Sequence, residues 1–340
     1  MENLVFYPYR FKSILKKKLW GGRRLETFLG KKLPEHERVG ESWDLSDRED
    51  AMSLVDNGPH EGVALRTLLD ADRYGIVGRM HARLFPDRFP LLVKYIDAHK
   101  ILSLQVHPDD DYAMENENGQ WGKMEAWYII HAEPHSFVYR GVLPGTDAKR
   151  FDDLIERGKV EECLHKMQVR EGDVVFVPPG CVHATGPGIV FCEVQQNSDL
   201  TYRITDWGRV DANGDRRELH PEQARNVIDW DLLEREEEGL TPTVSGGAER
   251  NGLLLECPKF AIEKVSLAAG KVSVGDVSQR CHVVCVIAGH GAIVTPMAGV
   301  APVTIRKGET YLIPSVLQTY EITTPEAVTA LRFYVPLEGD

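Results

Sequence analysis

Two histidines, a glutamate and a glutamine fall at positions from which side chains of neighbouring strands could meet. Gln105 and His107 are two residues apart in a strand-like run and so share one strand face. Glu125 begins an apolar strand-like run, and His183 follows a Pro-x-Gly turn. Two imidazole nitrogens, a carboxylate oxygen and an amide oxygen suit Zn²⁺ or a similar divalent ion. Alternatively, Gln105 and Glu125 are ordinary solvated strand residues and His107 is a turn residue before Pro108.

The run 172–183, GDVVFVPPGCVH, indicates the elements that must position the last of these residues. Five mostly β-branched or aromatic residues separate a turn glycine from the Pro-x-Gly turn, so we predict strand, tight turn, strand. His183 would then point inward from the start of the second strand. Further strands are predicted over 91–96, 102–106, 126–130, 137–139 and 189–195.

Several motifs together carry a family resemblance. QVHPDD, GKMEAWYII, PPGCVHATG and QQNSDLTYRITDW, with Trp20-Gly-Gly22 and the run 40–46, resemble the class I mannose-6-phosphate isomerases of the short bacterial type. These motifs span most of residues 1–210 and are specific. The resemblance implies a zinc-dependent aldose–ketose isomerase of the cupin superfamily. A glutamine in place of the first histidine of the usual cupin His-x-His pair agrees with this family and argues against redox chemistry on iron.

Aldose–ketose isomerisation moves a proton between neighbouring carbons through a cis-enediolate, whose negative charge a metal and cations must stabilise. The resemblance gives Arg203 the active-site role, and an arginine stays charged at any working pH. Lys123 would face the same cavity, either as a base or as a phosphate anchor. The general base is not identified, and the run Asp109 to Asp111 is interpreted as a solvated loop.

A sugar phosphate entering an acidic protein needs local positive charge. The candidates are Lys94, Lys100, Lys123 and Arg203, and Ser103 could add a hydroxyl contact. Lys123 and Arg203 are preferred because they lie within the motifs that carry the other site residues.

Composition excludes several other classes of protein. The chain has 340 residues, 42% hydrophobic and 27% charged, which is ordinary for a globular protein. Its formal net charge of −12 argues against a nucleic-acid or membrane-surface partner. No apolar run is long enough for a transmembrane helix or follows a signal-peptide pattern, so we expect a cytoplasmic protein. The six cysteines show neither a disulfide framework nor a Cys-x-x-Cys zinc spacing.

The predicted fold is mainly β, with two cupin jelly-roll units and a few inserted helices. Residues 1–245 would form the catalytic unit, with helical insertions at about 61–84 and 151–168, and residues 246–340 the second unit. The run 308–319 repeats the glycine, strand and proline of 172–183, but Val316 and Thr319 replace Gly180 and His183. The second unit is therefore interpreted as a degenerate cupin without a metal, in a structural role.

The predicted function is the zinc-dependent interconversion of D-mannose 6-phosphate and D-fructose 6-phosphate, with one zinc ion per subunit. Two alternatives stay open: a cupin that senses a sugar phosphate without turnover, and a cupin isomerase for another sugar phosphate. The sequence does not decide whether the chain is a monomer or a dimer.

Overall fold

The computed structural model describes residues 4–237 and 251–337, except the side chains of residues 236 and 237. The predicted boundary at 245/246 lies outside the described residues. The strands are, in chain order, Tyr9–Arg10 (β1), Ile14–Lys16 (β2), Glu41–Leu45 (β3), Asp47–Arg48 (β4), Ala51–Met52 (β5), Leu91–Ala98 (β6), Leu104–Val106 (β7), Glu125–Ala132 (β8), Phe137–Val142 (β9), Leu164–Gln168 (β10), Val174–Val177 (β11), His183–Thr185 (β12), Ile189–Gln196 (β13), Tyr202–Thr205 (β14), Gly252–Glu256 (β15), Ala261–Leu267 (β16), Val272–Asp276 (β17), His282–Val294 (β18), Val303–Arg306 (β19), Thr310–Ile313 (β20), Thr319–Thr323 (β21) and Val328–Tyr334 (β22).

Helices are short and lie between the strands. No helix among the described residues is long and apolar enough to cross a lipid bilayer. The helices are Arg24–Leu29 (α1), Leu65–Val77 (α2), Arg79–Leu84 (α3), Asp110–Asn116 (α4), Ala148–Glu156 (α5), Pro221–Val227 (α6) and Leu232–Glu237 (α7), with 3₁₀ turns at Gly58–His60, Val160–Cys163 and Ser315–Leu317.

Two antiparallel sheets form the first unit. One has the strand order β10-β9-β12-β7-β14, and the other has the order β11-β8-β13-β6-β3-β2. An apolar cluster that includes Ile96, Trp127, Val138 and Phe191 joins strands of both sheets. The two sheets therefore form a sandwich, as jelly rolls do.

The six-stranded sheet has two different faces because side chains alternate along each strand. On β13, Phe191 belongs to the core of the first unit, whereas Cys192 belongs to a cluster that includes residues of the second unit, among them Val283 and Phe333. One face of this sheet thus lines the interior of the first unit, and the other packs against the second unit.

The second unit is a nine-stranded antiparallel assembly built around β18. Its main path runs β1-β20-β18-β22-β16-β15, with β17, β19 and β21 joined to β18 directly or through one another. The pairing of β1 with β20 brings the beginning of the chain into this assembly. The prediction of a mainly β cupin fold with inserted helices is confirmed.

The two copies of the sequence motif have the same local structure at their start. Gly172 and Gly308 both adopt positive φ, +88° and +85°, which only glycine accepts readily. Each is followed by a strand, β11 or β20. The copies then diverge. In the first copy, the turn at Gly180 leads into β12, whereas the second copy forms the 3₁₀ turn Ser315–Leu317.

The insertion predicted over 151–168 differs in part from the structure. Helix α5 and the 3₁₀ turn Val160–Cys163 account for its first part, but residues 164–168 form strand β10, which pairs with β9. Within β10, His165 and Met167 are half-buried and Lys166 and Gln168 are exposed, so burial alternates as at a sheet edge. Tertiary pairing therefore overrides the weak helical pattern of this segment.

Candidate metal and substrate site

His107, Glu125 and His183 meet inside the sandwich of the first unit. His183 is the first residue of β12, Glu125 is the first residue of β8 on the opposite sheet, and His107 follows β7 directly. The Nε2 atoms of His107 and His183 lie 3.5 and 3.3 Å from the two carboxylate oxygens of Glu125. All three side chains are buried. They form a group of potential metal ligands whose donor atoms lie within 4.8 Å of one another.

Hydrogen bonds to the backbone set the orientation of both imidazoles. Nδ1 of His107 lies 2.9 Å from the carbonyl oxygen of Leu200, and Nδ1 of His183 lies 2.9 Å from that of Cys181. Because a carbonyl only accepts, each Nδ1 carries the proton and each Nε2 presents a lone pair towards Glu125. This is the tautomer that a metal-ligating histidine needs.

Burial keeps the imidazoles neutral while Glu125 stays ionised. Burial first, and then the nearby Lys123, lowers the pKa of His107 from 6.5 to about 3, and burial likewise lowers the pKa of His183. Burial opposes ionisation of Glu125, but the charge of Lys123 and the contact with His107 hold its pKa well below the usual value. Neutral imidazole and carboxylate are the protonation states that bind a metal.

The donor atoms of His183 and Glu125 fit a bound cation. Oε1 of Glu125 is buried and accepts no hydrogen bond within the described part of the chain. The nearby Nε2 of His183, 3.3 Å away, also carries a lone pair. Two acceptors that face each other in a dry interior repel unless a positive charge lies close to both. The donor set of two nitrogens and a carboxylate is one that zinc prefers.

Gln105 lies next to this group. It is directly opposite His183 in the pairing of β7 with β12, and its Nε2 lies 3.1 Å from Nε2 of His183. Its Oε1 accepts a hydrogen bond of 3.4 Å from Ser103. Rotation of the terminal amide by half a turn would direct the oxygen towards the group instead, since the two orientations have almost the same shape.

Lys123 contributes a positive charge at the same point. Its Nζ lies 3.1 Å from Nε2 of His107 and 2.7 Å from Oε2 of Glu125, and the side chain is buried. The backbone places it there because Lys123 N donates to the carbonyl oxygen of Pro108. The carboxylate therefore already has one cation beside it.

A cavity of about 210 Å³ opens beside these ligands, between the two sheets. Most of the residues predicted from the sequence line it, while His107 and Glu125 contact Lys123 and His183 in its wall. Lys100 is exposed and is not part of this lining, so the sequence-based proposal of a phosphate contact there is not supported. The predicted residues in the lining are Lys94, Ser103, Gln105, Lys123, His183 and Arg203.

Lys94 lies among carboxylates. Its Nζ is 3.3 Å from Glu193 and 3.7 Å from Asp199, and it stacks over Trp43 at 4.6 Å. Burial, and then the charge of Glu125, raises the pKa of Glu193 to about 7. The charge of Lys94 is therefore shared between two acidic groups, which weakens its pull on a phosphate.

Arg203 is the cation of the cavity with the least compensation. It lies on β14, directly opposite Gln105 on β7. Its Nη1 donates to the carbonyl oxygen of Glu218 at 2.8 Å, and its buried Nε has no hydrogen-bond partner within 4–237 and 251–337. The guanidinium forms no ion pair with any described carboxylate. Burial lowers its pKa from the usual value, but an arginine starts so high that it stays charged.

Known proteins resemble this chain over most of its length. Residues 9–122 match the family model for the phosphomannose isomerase type I catalytic domain. The chain is 36% identical over 323 residues to mannose-6-phosphate isomerase ManA of Bacillus subtilis, covering 93% of this chain and 95% of that protein. The chain belongs to the mannose-6-phosphate isomerase family. The resemblance noted in the sequence motifs is confirmed, and the chain is an enzyme of this family.

Solved structures show the same fold over almost the whole chain. The mannose 6-phosphate isomerase of Bacillus subtilis superimposes with a TM-score of 0.80 at 30% identity, covering 96% of this chain and 99% of that one. A mannose 6-phosphate isomerase bound with zinc and yttrium covers 97% of this chain and 100% of its own, with a TM-score of 0.74 at 15% identity. At that identity the second likeness shows the fold alone.

In this family member, sequence reasoning missed part of the cavity wall. Trp127 and Thr185 both line the cavity, and Trp127 Nε1 and Thr185 Oγ1 are buried polar atoms that lack a hydrogen-bond partner within the described residues. Buried polar groups are rarely left unsatisfied, so these two atoms are candidates for contact with a ligand. A signal did exist for Thr185, since it is two residues after His183 and so shares its strand face.

Proposed function

We propose that this family member interconverts D-mannose 6-phosphate and D-fructose 6-phosphate with a zinc ion held by Gln105, His107, Glu125 and His183. One observation carries the proposal: the lone pairs of two neutral imidazoles converge on a buried carboxylate at a cavity that Arg203 also lines, and no described carboxylate pairs with the charge of Arg203. A bound zinc ion would supply Lewis acidity towards the oxygens of the reacting carbons. Side chains of the protein would stabilise the developing charge, transfer the proton and bind the phosphate.

Arg203 stabilises the negative charge that develops on the substrate during proton removal. Its strand pairs with β7 at Gln105, so Arg203 lines the cavity from the same sheet as Gln105 and His183. A fixed, half-buried cation directed at developing charge is an effective source of transition-state stabilisation. We assign Arg203 to the cis-enediolate.

Lys123 serves at the reacting carbons. Its ammonium lies within 3.1 and 2.7 Å of atoms of two proposed ligands, His107 and Glu125. The substrate has C1 and C2 at one end and the phosphate on C6 at the other, so a group this close to the ligands cannot also hold the phosphate. Of the two roles open from the sequence, we therefore propose that Lys123, as the neutral amine, takes the proton from one of C1 and C2 and, as the ammonium so formed, returns it to the other.

Ser103 and Thr185 receive the phosphate end. Each is two residues from a proposed ligand, Gln105 or His183, along paired strands, and Leu102 N donates to Thr185 O next to them. Two residues of strand span roughly 6.6 Å, which agrees with the distance from the reacting carbons to the phosphate. Lys94 lines the same cavity and is retained as a substrate-binding residue.

A coupled assay tests the function. The zinc-loaded protein is given mannose 6-phosphate, and fructose 6-phosphate is measured enzymatically before and after the metal is removed with a chelator. We expect turnover that is lost with the metal and returns with zinc. A folded, zinc-loaded protein that binds mannose 6-phosphate without turnover would establish the sensor alternative, and turnover of a different sugar phosphate alone would establish the second one.

A further inference from the structure

Asp110 joins four parts of the chain through one carboxylate. Its Oδ1 accepts hydrogen bonds of 2.9 Å from the backbone of Gly122 and 2.9 Å from Nε2 of Gln196. Its Oδ2 accepts a bond of 2.6 Å from Nζ of Lys259. The aspartate run that the sequence suggested to be a solvated loop thus has defined partners, since Asp109 also accepts a hydrogen bond, of 2.8 Å from Tyr112 N, at the start of helix α4.

Two of the joined segments carry proposed metal ligands. Asp110 follows His107 by three residues, and Gly122 precedes Glu125 by three. Gln196, which donates to Asp110, also accepts from the backbone N–H of Met124 at 3.0 Å. The loop after β7 and the approach to β8 are therefore fixed to each other next to the metal group.

The approach to β8 has little room to adjust. A Cβ added to Gly122 would lie 2.3 Å from the backbone carbon of Asp109, so the two segments are already in close contact. Lys123 N adds a bond of 3.0 Å to the carbonyl oxygen of Pro108. In such a tight arrangement, a shift of the Asp110 carboxylate is transmitted to the ligand-bearing segments.

Among the described residues, Lys259 is the only one of the second unit that donates a hydrogen bond to the Asp110 carboxylate. It lies in the turn between β15 and β16, where Cys257 N donates to the carbonyl oxygen of Phe260. Burial alone would raise the pKa of Asp110, but the bonds from Lys259 and Gln196 lower it below the usual value. A carboxylate held in its charged form is a stronger acceptor for the Gly122 N–H.

We propose that Lys259 is a positioning residue, which acts through Asp110 to hold the segments of His107 and Glu125 at the spacing that retains the metal. The second unit then contributes to the site, although its own copy of the motif has lost the ligands. The effect on the metal rests on the proposed function, whereas the effect on the segments themselves does not.

The rate at which the protein releases zinc to an excess of chelator, measured by absorbance, tests the role of Lys259. Lys259→Met keeps the aliphatic stem and removes the charge; the side chain is 38% exposed, so the variant should fold. We expect release about 3- to 5-fold faster, the upper range for a partly exposed ion pair. Lys259→Arg should restore the slow rate, and Lys159→Met, which breaks a solvent-exposed pair with Glu162, should not change it.

A double-mutant cycle distinguishes positioning from a general loss of stability. In the background of Asp110→Asn, Lys259→Met should add no further acceleration, because the two residues act as a unit. An additive effect in the double variant, or an unchanged release rate in Lys259→Met, would overturn the proposal.

A readout without metal separates this proposal from the proposed function. Amide hydrogen exchange of the metal-free protein over residues 120–124 should be faster in Lys259→Met than in the parent and the Lys159→Met control, because Lys259 no longer holds in place the Asp110 carboxylate that accepts from the Gly122 N–H. Unchanged exchange there contradicts the positioning role even if the isomerase assay succeeds. Faster exchange supports it even if that assay fails.

Discussion

Gln105 and His183 face each other across neighbouring antiparallel strands, with their side-chain Nε2 atoms 3.1 Å apart. In this arrangement the amide donates to the lone pair of the imidazole, the same lone pair that a metal would take. With zinc bound, the amide oxygen would have to turn towards the metal. The pair therefore gives a direct test of whether Gln105 is a ligand or only a neighbour.

Gln105→Leu should weaken zinc binding about 10- to 100-fold without unfolding the protein, because it removes the amide oxygen from the group of ligands. Competition with a chelator of known affinity measures this. Gln168→Leu, at the exposed end of β10, is the matched control and should bind zinc as the parent does. Parent-like affinity in Gln105→Leu would mean that the amide only hydrogen-bonds His183.

Arg203→Lys should lower kcat about 100- to 1000-fold and leave the zinc content unchanged. Lysine keeps the positive charge but loses the planar fork, and the lost stabilisation of developing charge is of the order found for removal of one such donor. Steady-state kinetics and elemental analysis on the same sample check both parts. Arg225→Lys, in an exposed pair with Asp152, is the control. Loss of zinc together with activity would contradict the role proposed for Arg203.

Thr185→Val should raise KM about 5- to 10-fold while stability stays the same or rises by up to about 1 kcal/mol. The reason is that Thr185 Oγ1 is buried without a hydrogen-bond partner in the described structure, so its removal costs nothing until substrate is present. Thr146→Val is a matched control, because its hydroxyl is also buried without a described partner but lies outside the cavity lining. Equal KM values for the parent and Thr185→Val would remove Thr185 from the phosphate site.

The metal-free protein should lose stability as the pH falls from about 7 to 5. The imidazole of His107 takes up a proton near pH 6.5 in the unfolded chain but only near pH 3 in the folded one, so between these values the unfolded state binds more protons. The contribution of His107 approaches about 1.4 kcal/mol for each pH unit, and His183 acts in the same direction, whereas Glu193, whose pKa burial raises to about 7, opposes them. Urea unfolding at several pH values, with a chelator present, measures it.

His107→Gln should flatten that pH dependence, whereas His99→Gln, at an exposed position, should leave it as in the parent. A variant without His107 that keeps the full slope would show that other groups cause the acid sensitivity.

The sequence predicted the fold and most of the candidate site residues because strand alternation and turn motifs depend only on residues close together in the chain. Strand alternation places Gln105 and His107 on one face, and the glycine and Pro-x-Gly turns bracket β11 and the start of β12. The same reasoning failed at 164–168, where edge pairing with β9 decides the conformation. It also gave no information about the carboxylates around Lys94, since the pairing of β6 with β13 that brings Glu193 opposite Lys94 joins residues 99 positions apart.

The sequence by itself determined the family, the mainly β fold and the identity of the residues that can hold a metal. Motif spacing and residue chemistry contain that information without any knowledge of distances. Only the tertiary structure decided the protonation of the two imidazoles, the isolation of the Arg203 charge and the link from Asp110 to Lys259. Burial and contacts between residues distant in the chain, such as His107 with Leu200 and Asp110 with Lys259, set most of these properties, and both arise when segments far apart in the chain come together.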